Sequence, residues 1–435
     1  MSIKRLTIGV LAASAAAGVL AAAPAVADEL FVPGLVYRTG PYAPNGIPVA
    51  NGMSDYVTLL NERDGGIGGV KVVWEECETS YDTKLGVECY ERLKTKNALI
   101  VNPYSTGITY ALIPKATVDK IPVLSMGYGR TDASDGRVFP WVFTAPTTYW
   151  SQASAMIKYV ASKEGGLEKL KGKNIALVYH NSPYGKEPIP TLETLAKKYG
   201  YKLETLAVDH PGQEQKATWQ KIQQIEPDWV FFWGWGVMNQ VGVKEAAAIG
   251  FKMDRMIGVW WSGSEVDVLP AGDAAKGYLA ATFHQPGAGF KIHEDIKKYV
   301  YGKNLGKGDV KKIGEVLYNR GLVNAFIATE AIRDAVAKKG SKITGADVRE
   351  AMEHLSIDQA RLEKMGFAGM MRPITISCAD HEGNGAVLIQ QWDGKNWKIV
   401  SDWIAPMRDV VRPMIEASAH KFATENKVEM RKDCK

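Results

Sequence analysis

The chain has 435 residues, of which 46% are hydrophobic and 23% charged, and its formal net charge is +5. A chain of this length is too long to fold around one compact core, so two or three domains are expected. Lysine and arginine are spread along the sequence, which argues against the clustered basic stripe that nucleic-acid binding requires.

The first predicted element is an export signal. Lys4 and Arg5 precede an apolar, alanine-rich stretch, and Ala25-Val26-Ala27 offers the small residues that signal peptidase requires. We therefore predict a signal peptide over residues 1–27, cleavage after Ala27, a periplasmic location and a mature net charge of +3. An uncleaved anchor is the alternative, but alanine is only weakly hydrophobic. No later segment reaches the ~18–20 apolar residues of a spanning helix, so no stable membrane insertion is expected.

Beyond the signal, short apolar strands alternate with helices of 3.6-residue periodicity. In a first series, strands are predicted over 30–37, 70–74, 98–101 and 123–125, and helices over 49–63, 87–94 and 108–118. In a second series, which begins after Pro146, helices are predicted over 149–163, 189–199, 218–224 and 241–248, and strands over 174–179, 203–208, 229–233 and 256–259. Residues 386–403 read as a β-hairpin with a tight turn. Such alternation predicts an α/β fold with two lobes, each a parallel sheet with helices on both faces.

Four cysteines are expected in the oxidising compartment to which the signal directs the chain. Cys77 and Cys89 are close in sequence, and we predict that they join the end of a strand to the following helix. Cys378 would then pair with Cys434 and hold the C-terminal tail. There is no CxxC or HExxH pattern and no histidine beside a cysteine, so neither a metal nor a cofactor is expected.

An ordered set of segments resembles the type I periplasmic binding proteins of ABC transporters, in the branch that binds leucine, isoleucine and valine. These segments span essentially the whole mature chain and are Gly40-Pro41, residues 61–67 (NERDGGI), Tyr104-Ser105-Thr106-Gly107, Tyr184-Gly185 and residues 246–251 (AAAIGF). The resemblance implies two Rossmann-like lobes joined by a three-segment hinge, with crossings near Pro146, Ala274 and Met370. Lobe one would comprise residues 28–147 and 275–368, and lobe two residues 148–274 and 369–435. A ligand between the lobes holds them closed, as in a Venus flytrap.

In lobe one, the resemblance places ligand contacts in the loops that follow the strands. The candidates from this lobe are Tyr42, Asn45, Ser105, Thr106, Gly127, Tyr128, Gly129, Arg130 and Tyr318. Ser105 and Thr106 lie at a helix start, where hydroxyls, free N–H groups and the helix dipole favour a carboxylate; Ser105 acting as a helix cap is the simpler alternative. The glycines would let the backbone approach the ligand. Arg130 is either a bidentate partner of a carboxylate or a solvated loop residue.

In lobe two, the resemblance selects aromatic residues. The candidates from this lobe are Tyr184, Trp235 and Trp260. Amino-acid binders of this family carry an acid for the ligand ammonium near position 260, but here Trp260-Trp261-Ser262 follows the strand, and Glu265 lies further along. Burying a ligand ammonium without a carboxylate partner costs several kcal/mol. This cost is more than half of the ~8 kcal/mol binding free energy of a micromolar ligand. Either Glu265 swings in or the ligand has no α-amino group.

These features predict the solute-binding component of an ABC uptake transporter, a monomer that presents a small carboxylate to the permease subunits. We expect an aromatic acid of the hydroxycinnamate or benzoate type, because indole rings face an anion-favouring loop. The alternatives are a branched-chain or aromatic amino acid, with Glu265 as the ammonium partner, and a ligand-sensing module that acts through a receptor. An enzyme is not expected, since the sequence lacks a GxSxG elbow, a P-loop and a strand followed by GxGxxG.

Overall fold

The computed structural model describes residues 29–434 of the chain. The predicted signal peptide and its cleavage site lie outside these residues. Within the described range, no helix combines the length and the apolar character needed to cross a membrane.

Strands and helices alternate along most of the chain. The strands are β1 (Leu30–Val36), β2 (Val72–Glu78), β3 (Val123–Leu124), β4 (Val142–Phe143), β5 (Asn174–His180), β6 (Lys202–Val208), β7 (Trp229–Trp233), β8 (Met256–Gly258), β9 (Leu279–Thr282), β10 (Ser356–Ile357), β11 (Ile374–Thr375), β12 (Leu388–Trp392) and β13 (Trp397–Ile399). The helices are α1 (Ala43–Asp64), α2 (Thr83–Leu93), α3 (Thr106–Asp119), α4 (Tyr149–Glu164), α5 (Pro183–Lys186), α6 (Ile189–Tyr199), α7 (Lys216–Ile225), α8 (Val237–Ala248), α9 (Glu265–Val268), α10 (Lys291–Tyr299), α11 (Val316–Lys339), α12 (Gly345–Met352), α13 (Gln359–Met365) and α14 (Arg408–Asn426).

The first sheet, on which lobe one is built, has the order β2, β1, residues 98–102, β3 and β4. β1 pairs with β2 in parallel along its whole length, and β3 pairs with β4 in the same sense. The segment predicted as a strand over 98–101 joins the two pairs only through single bridges, from Gly34 to Asn102 and from Val101 to Val123. It therefore completes the sheet without forming a long ladder.

The second sheet, on which lobe two is built, has the order β13-β12-β9-β8-β7-β5-β6. It is parallel from β6 to β9 and antiparallel at β12 and β13. Every residue of β7 (WVFFW) is buried, as expected for a central strand covered by helices on both faces. The two parallel-dominated sheets with covering helices confirm the predicted α/β architecture.

The predicted hairpin forms, but its second strand ends at Ile399 rather than Trp403. Four residues connect the strands, because Trp392 pairs with Trp397. The Asp393 carboxylate accepts the backbone N–H groups of Lys395 (2.8 Å) and Asn396 (2.7 Å), which holds this connection. The turn is thus an aspartate-stabilised loop, a role that short polar side chains commonly take.

Helix α1 begins at Ala43, six residues before the apolar periodicity that starts at Val49. Proline is compatible with a first helical turn, and Pro44 occupies that position here. Gly46 brings this turn against the end of β1, since a Cβ there would lie 2.1 Å from the carbonyl oxygen of Tyr37. The early start places Tyr42 and Asn45 at the edge of the first sheet.

Two segments lie in a different lobe from the one predicted for them. β9 pairs with β8 and β12, so the crossing expected near Ala274 falls after Thr282. The sequence of β9 (LAAT) is too short and too rich in alanine to give a periodic signal. Helix α14 packs beside the first sheet, where the ring of Phe422 lies 4.7 Å from that of Phe139. The remaining boundaries stay predictions.

Both predicted disulfides are present, which confirms the pairing. Cys77 at the end of β2 is bonded to Cys89 in α2, with 5.7 Å between their Cα atoms. Cys378 is bonded to Cys434 at 5.2 Å and ties the end of the chain back after α14. The carbonyl oxygen of Cys378 would lie 2.1 Å from a Cβ at Gly136 of lobe one, so the second bridge holds the tail after α14 near that lobe.

Candidate functional site

Loops from both sheets meet in one cleft. Lobe one contributes the loops after β1, residues 98–102 and β3, and lobe two those after β5, β7 and β8. Ligands of parallel sheets bind at this edge, where loops and helix N-termini gather. The lobes touch here: the carbonyl oxygen of Gly127 accepts the indole N–H groups of Trp260 (2.9 Å) and Trp261 (2.6 Å). The structure is therefore in a closed arrangement.

Three tyrosines form the wall of the cleft in lobe one. Tyr37 stacks on Tyr104 with 4.5 Å between ring centroids, and Tyr81 meets Tyr37 edge-on at 5.0 Å. The hydroxyl of Tyr104 donates to the carbonyl oxygen of Gly46 (3.0 Å), and its backbone N–H donates to Asn102 Oδ1 (2.8 Å). These bonds fix Tyr104, which in turn orients Tyr37.

Indole rings form the wall of lobe two. Trp235 and Trp261 pack edge-to-face at 5.3 Å, and Tyr149 stacks on Trp260 at 5.1 Å. From lobe one, Tyr128 stacks on Trp261 at 4.6 Å with 19° between the ring planes. Such pairs contribute about 0.5–1.5 kcal/mol each beyond burial of their area. The Tyr128–Trp261 pair, which joins the two lobes, thus stabilises closure directly.

Several polar atoms between these walls are buried without a partner. Within the described residues, the hydroxyl of Tyr149 and the indole Nε1 of Trp235 complete no hydrogen bond, and the hydroxyls of Tyr37 and Tyr128 are close enough to interact with each other without completing a well-formed bond. Burial raises the pKa of each of the three phenols well above its ordinary value, so they stay protonated and able to donate. Buried polar groups are normally paired, so these donors point to a bound polar molecule.

The predicted carboxylate loop lies beside this cluster. The Ser105 hydroxyl accepts the backbone N–H of Ile108 (3.4 Å), which makes it the cap of α3, and it also interacts with the hydroxyl of Tyr81. The Thr106 hydroxyl accepts the N–H of Gly129 (3.1 Å). Thr106 therefore ties the helix start to the loop after β3.

Arg130 is directed away from the aromatic walls. Its guanidinium binds Asp132 through two hydrogen bonds (2.5 and 2.9 Å), and its Cζ lies 4.4 Å from the ring centroid of Phe422 in α14. The neighbouring Gly129 makes room for protein rather than for ligand, because a Cβ there would lie 2.3 Å from Glu187 Oε1.

Glu187 of lobe two is a contact between the lobes that the sequence analysis missed. Its carboxylate accepts the hydroxyls of Tyr110 (2.5 Å) and Thr131 (2.7 Å), both from lobe one. Burial raises the pKa of Glu187, although these hydrogen bonds act in the opposite direction. It links the lobes on the side of the cleft where Arg130 lies.

Tyr42 links the lobes through two histidines of lobe two. Its hydroxyl lies 2.9 Å from His180 Nε2 and 3.1 Å from His210 Nδ1. Burial lowers the pKa of His180 to about 3, and the nearby His210 adds to this effect. Neither histidine hydrogen-bonds an acidic side chain in the described part of the chain.

Asn45 links the lobes through Asp267, a fully buried acid of lobe two. Asp267 Oδ1 accepts the side-chain amides of Asn45 (2.9 Å) and Asn239 (2.9 Å), and Oδ2 accepts the N–H (2.8 Å) and hydroxyl (2.6 Å) of Ser264. Asn239 also donates to the carbonyl oxygen of Trp261. Asp267 therefore supports the loop that carries the indoles.

The structure places three other predicted residues outside the group of unpaired donors. Tyr318 donates its hydroxyl to Asp55 Oδ2 (2.9 Å). Glu265 accepts the backbone N–H of Val316 at the start of α11 (3.0 Å), and burial raises its pKa to about 8. Tyr184 donates to the carbonyl oxygen of Gly234 (2.8 Å) and supports the loop of Trp235.

Arg320 of α11 is fully buried against the rings of Trp261 and Phe283 and was not predicted as a site residue. Its Nη1 donates to the carbonyl oxygen of Trp260, its Nη2 to Thr282 Oγ1 (3.2 Å) and its Nε to His284 Nε2 (3.2 Å). Its Cζ lies 5.0 Å from the ring centroid of Trp261. No acid in residues 29–434 forms an ion pair with it, and burial lowers its pKa to about 9.

The sequence carried only weak signals for the missed residues. Arg320 is a lone charge within a long apolar run of α11, which does indicate a special environment. Tyr37 and Tyr149 stand beside strand or helix ends, as many structural tyrosines do. What distinguishes them is their convergence on one point, which only the tertiary structure shows.

Residues 29–396 match the model of a family described as periplasmic binding protein. A solved structure described as an ABC transporter permease, from the Pseudomonas fluorescens group, is 47% identical; the alignment covers 93% of this chain and 99% of that chain, with a TM-score of 0.86. No curated protein matches the chain significantly.

Two further structures are more distant. A branched-chain amino acid ABC transporter structure from Thermus thermophilus, with bound valine, is 25% identical, covers 89% of this chain and 98% of that chain, and has a TM-score of 0.72. A solute-binding protein of an ABC transporter from Rhodopseudomonas palustris BisB5, in complex with 3,4-dihydroxy benzoic acid, is 18% identical, with coverages of 87% and 98% and a TM-score of 0.66. The latter is a likeness of fold.

Proposed function

The chain belongs to the periplasmic binding protein family, whose members are non-enzymatic solute-binding proteins of ABC transporters, and we propose that its solute is a small aromatic carboxylate of the hydroxycinnamate or benzoate type. The exported monomer, cleaved after Ala27, closes on this solute and presents it to the permease subunits.

The observation that carries this proposal is the set of buried, unpartnered donors between two aromatic walls. The Tyr149 hydroxyl and the Trp235 indole N–H require acceptors, and the neighbouring hydroxyls of Tyr37 and Tyr128 can satisfy only one of their two donors between them. A carboxylate supplies acceptors, and an aromatic ring beside it stacks on tyrosine and tryptophan. The start of α3 at Ser105 adds a positive helix end that favours the same charge.

An amino acid is the alternative ligand, and the position of Glu265 argues against it. That carboxylate is hydrogen-bonded to the N-terminus of α11, and burial favours its neutral form. It is therefore poorly suited to pair with a ligand ammonium. The fold itself does not decide, since similar structures hold valine in one case and 3,4-dihydroxy benzoic acid in another.

A calorimetric panel tests the ligand class. With the mature protein, we expect benzoate, 4-hydroxybenzoate or p-coumarate to bind with micromolar or tighter affinity, which corresponds to about 8 kcal/mol or more. Leucine, valine and phenylalanine should bind at least a hundredfold more weakly. Tight binding of leucine or phenylalanine without a response to the aromatic acids would overturn the proposal.

Acid should weaken the binding of the best ligand from that panel. His180 resists protonation in the closed form, with its pKa lowered to about 3, whereas a solvated histidine titrates near 6.5. Protonation therefore favours the open form, so closure is unopposed above about pH 6.5 and is opposed increasingly below it. We expect affinity to fall about tenfold between pH 7.5 and pH 5.5.

The control for this pH dependence is His180→Gln, which keeps a side chain able to bond Tyr42 but removes the titration. The change in its affinity over the same range should be about tenfold smaller than in wild type, and a benzoate-type ligand stays ionised throughout. A wild-type affinity that ignores pH, or an equal slope in the variant, contradicts the role of His180.

A further inference from the structure

We propose that Arg320 binds the carboxylate of the ligand and thereby selects an anionic ligand over a neutral or cationic one. This inference rests on the proposed function, because it assigns the charge preference of the same cleft to one residue. It replaces Arg130, whose guanidinium is already bound to Asp132.

The first support is the uncompensated charge of Arg320. All of its hydrogen-bond acceptors are neutral: a carbonyl, a hydroxyl and an imidazole nitrogen. A buried charge is costly unless an opposite charge accompanies it. Asp267, an acid that interacts electrostatically with Arg320 without contacting it, is saturated by Asn45, Asn239 and Ser264. A ligand carboxylate would supply the missing charge, whereas a ligand ammonium would add a second buried cation.

The second support is the number of donors that remain. A guanidinium has about five N–H groups, and three hydrogen bonds to the described residues engage one each on Nε, Nη1 and Nη2. One N–H on each terminal nitrogen is therefore left over, a pair of donors suited to carboxylate oxygens.

The third support is the neighbourhood of those donors. Tyr128 stacks on Trp261, whose ring centroid lies 5.0 Å from Arg320 Cζ, and Tyr149 stacks on Trp260, whose carbonyl oxygen accepts a hydrogen bond from Arg320. The hydroxyl of Tyr149 is buried without a hydrogen-bond partner in the described residues, and that of Tyr128 has only the neighbouring Tyr37 hydroxyl nearby to interact with. The two phenols and the guanidinium together form a cluster of hydrogen-bond donors that lack enough acceptors at the inner end of the aromatic walls. A carboxylate bound there satisfies all of them together.

The position of Arg320 also couples binding to closure. Its helix, α11, packs along α1 of lobe one, while its guanidinium donates to Trp260 and Thr282 of lobe two. A ligand carboxylate on Arg320 therefore lies where both lobes contribute, which makes charge recognition a part of closing.

The test compares charged ligands with their neutral amides. Calorimetry on the mature protein would use benzoate against benzamide and p-coumarate against its amide, with benzylamine as the cation. We expect wild type to prefer the better acid over its amide at least a hundredfold and to show no binding of benzylamine. Arg320→Gln should reduce this preference below tenfold. Arg333→Gln, on the same helix but paired with Glu330, should keep it.

Each outcome of this comparison either supports the role of Arg320 or overturns it. An amide that binds wild type as tightly as its acid overturns the role of Arg320 while leaving an aromatic ligand in place; the absence of any aromatic acid binding overturns the proposed function instead. If Arg320→Gln keeps the full hundredfold preference for the acid over its amide, the inference is also overturned.

If thermal unfolding shows that Arg320→Gln does not fold, Arg320→Lys replaces it. The lysine variant should still prefer the acid over its amide, but its affinity for the acid should be about tenfold weaker, because an ammonium group cannot form the paired hydrogen bonds of a guanidinium. Unchanged acid affinity in the lysine variant overturns the inference.

Discussion

Gly127→Val should weaken ligand binding more than a hundredfold while leaving both lobes folded. A Cβ at this position would lie 3.1–3.3 Å from atoms of Trp261, Trp260 and Phe283, and valine adds two methyl groups beyond it. The same residue provides the carbonyl that accepts both indole N–H groups. The clash is between the two lobes, so it destabilises the closed form more than the open form. Isothermal calorimetry and thermal unfolding measure the two effects separately.

Gly172→Val is the matched control. Gly127 and Gly172 both have positive φ, at +71° and +82°, so valine strains the backbone at either site. Nothing lies within 4 Å of a Cβ at Gly172. This variant should lose stability and keep its affinity within about twofold. Equal losses of affinity in the two variants would mean that backbone strain, and not the contact between lobes, is responsible.

Asp267→Ala should lower the free energy of unfolding by about 3 kcal/mol or more. The substitution leaves the amides of Asn45 and Asn239 and the N–H and hydroxyl of Ser264 without their buried acceptor. Each buried donor that loses its partner costs about 1–3 kcal/mol, and removal of a buried carboxylate offsets part of the sum. Denaturant unfolding measures the loss. Ligand affinity should fall as well, because Asn239 holds the Trp261 loop.

Asp347→Ala removes the same capping motif at an exposed site, where water can replace the lost hydrogen bonds. Asp347 Oδ2 accepts the N–H (2.9 Å) and hydroxyl (2.8 Å) of Thr344 at the exposed start of α12, as Asp267 does for Ser264. We expect a loss of about 1 kcal/mol, typical of a helix cap. Losses of equal size would show that Asp267 is only a cap, without a role in supporting the cleft.

Most of the fold was predictable because strands and helices of the two lobes carry regular periodicity. β7, with five consecutive buried residues, and α6, with Gly200 in the left-handed conformation after it, begin and end where the sequence indicates. β9 was missed because its four residues, two of them alanine, give no such signal. The position of α14 was missed because packing against lobe one depends on contacts distant in sequence.

The candidate site was predictable only in part. The loops at Ser105, Gly127 and Trp260 follow strands, and strand ends converge by topology, so these loops do meet in the cleft. Arg130 turned toward Asp132 because a local acid is two residues away, a competition that loop position does not reveal. Arg320 lies in the middle of a helix, where strand-end reasoning does not look.

The indoles at the join between the lobes give this protein an optical signal of its own state. In the closed arrangement, Trp260 and Trp261 are shielded from water and hydrogen-bonded to the opposite lobe, while Trp392 and Trp397 pack in the distant hairpin and keep their surroundings. Separation of the lobes hydrates the indoles of the cleft, Trp235 among them, and leaves the hairpin pair unchanged. Intrinsic fluorescence can therefore follow opening and closing in solution without any added dye.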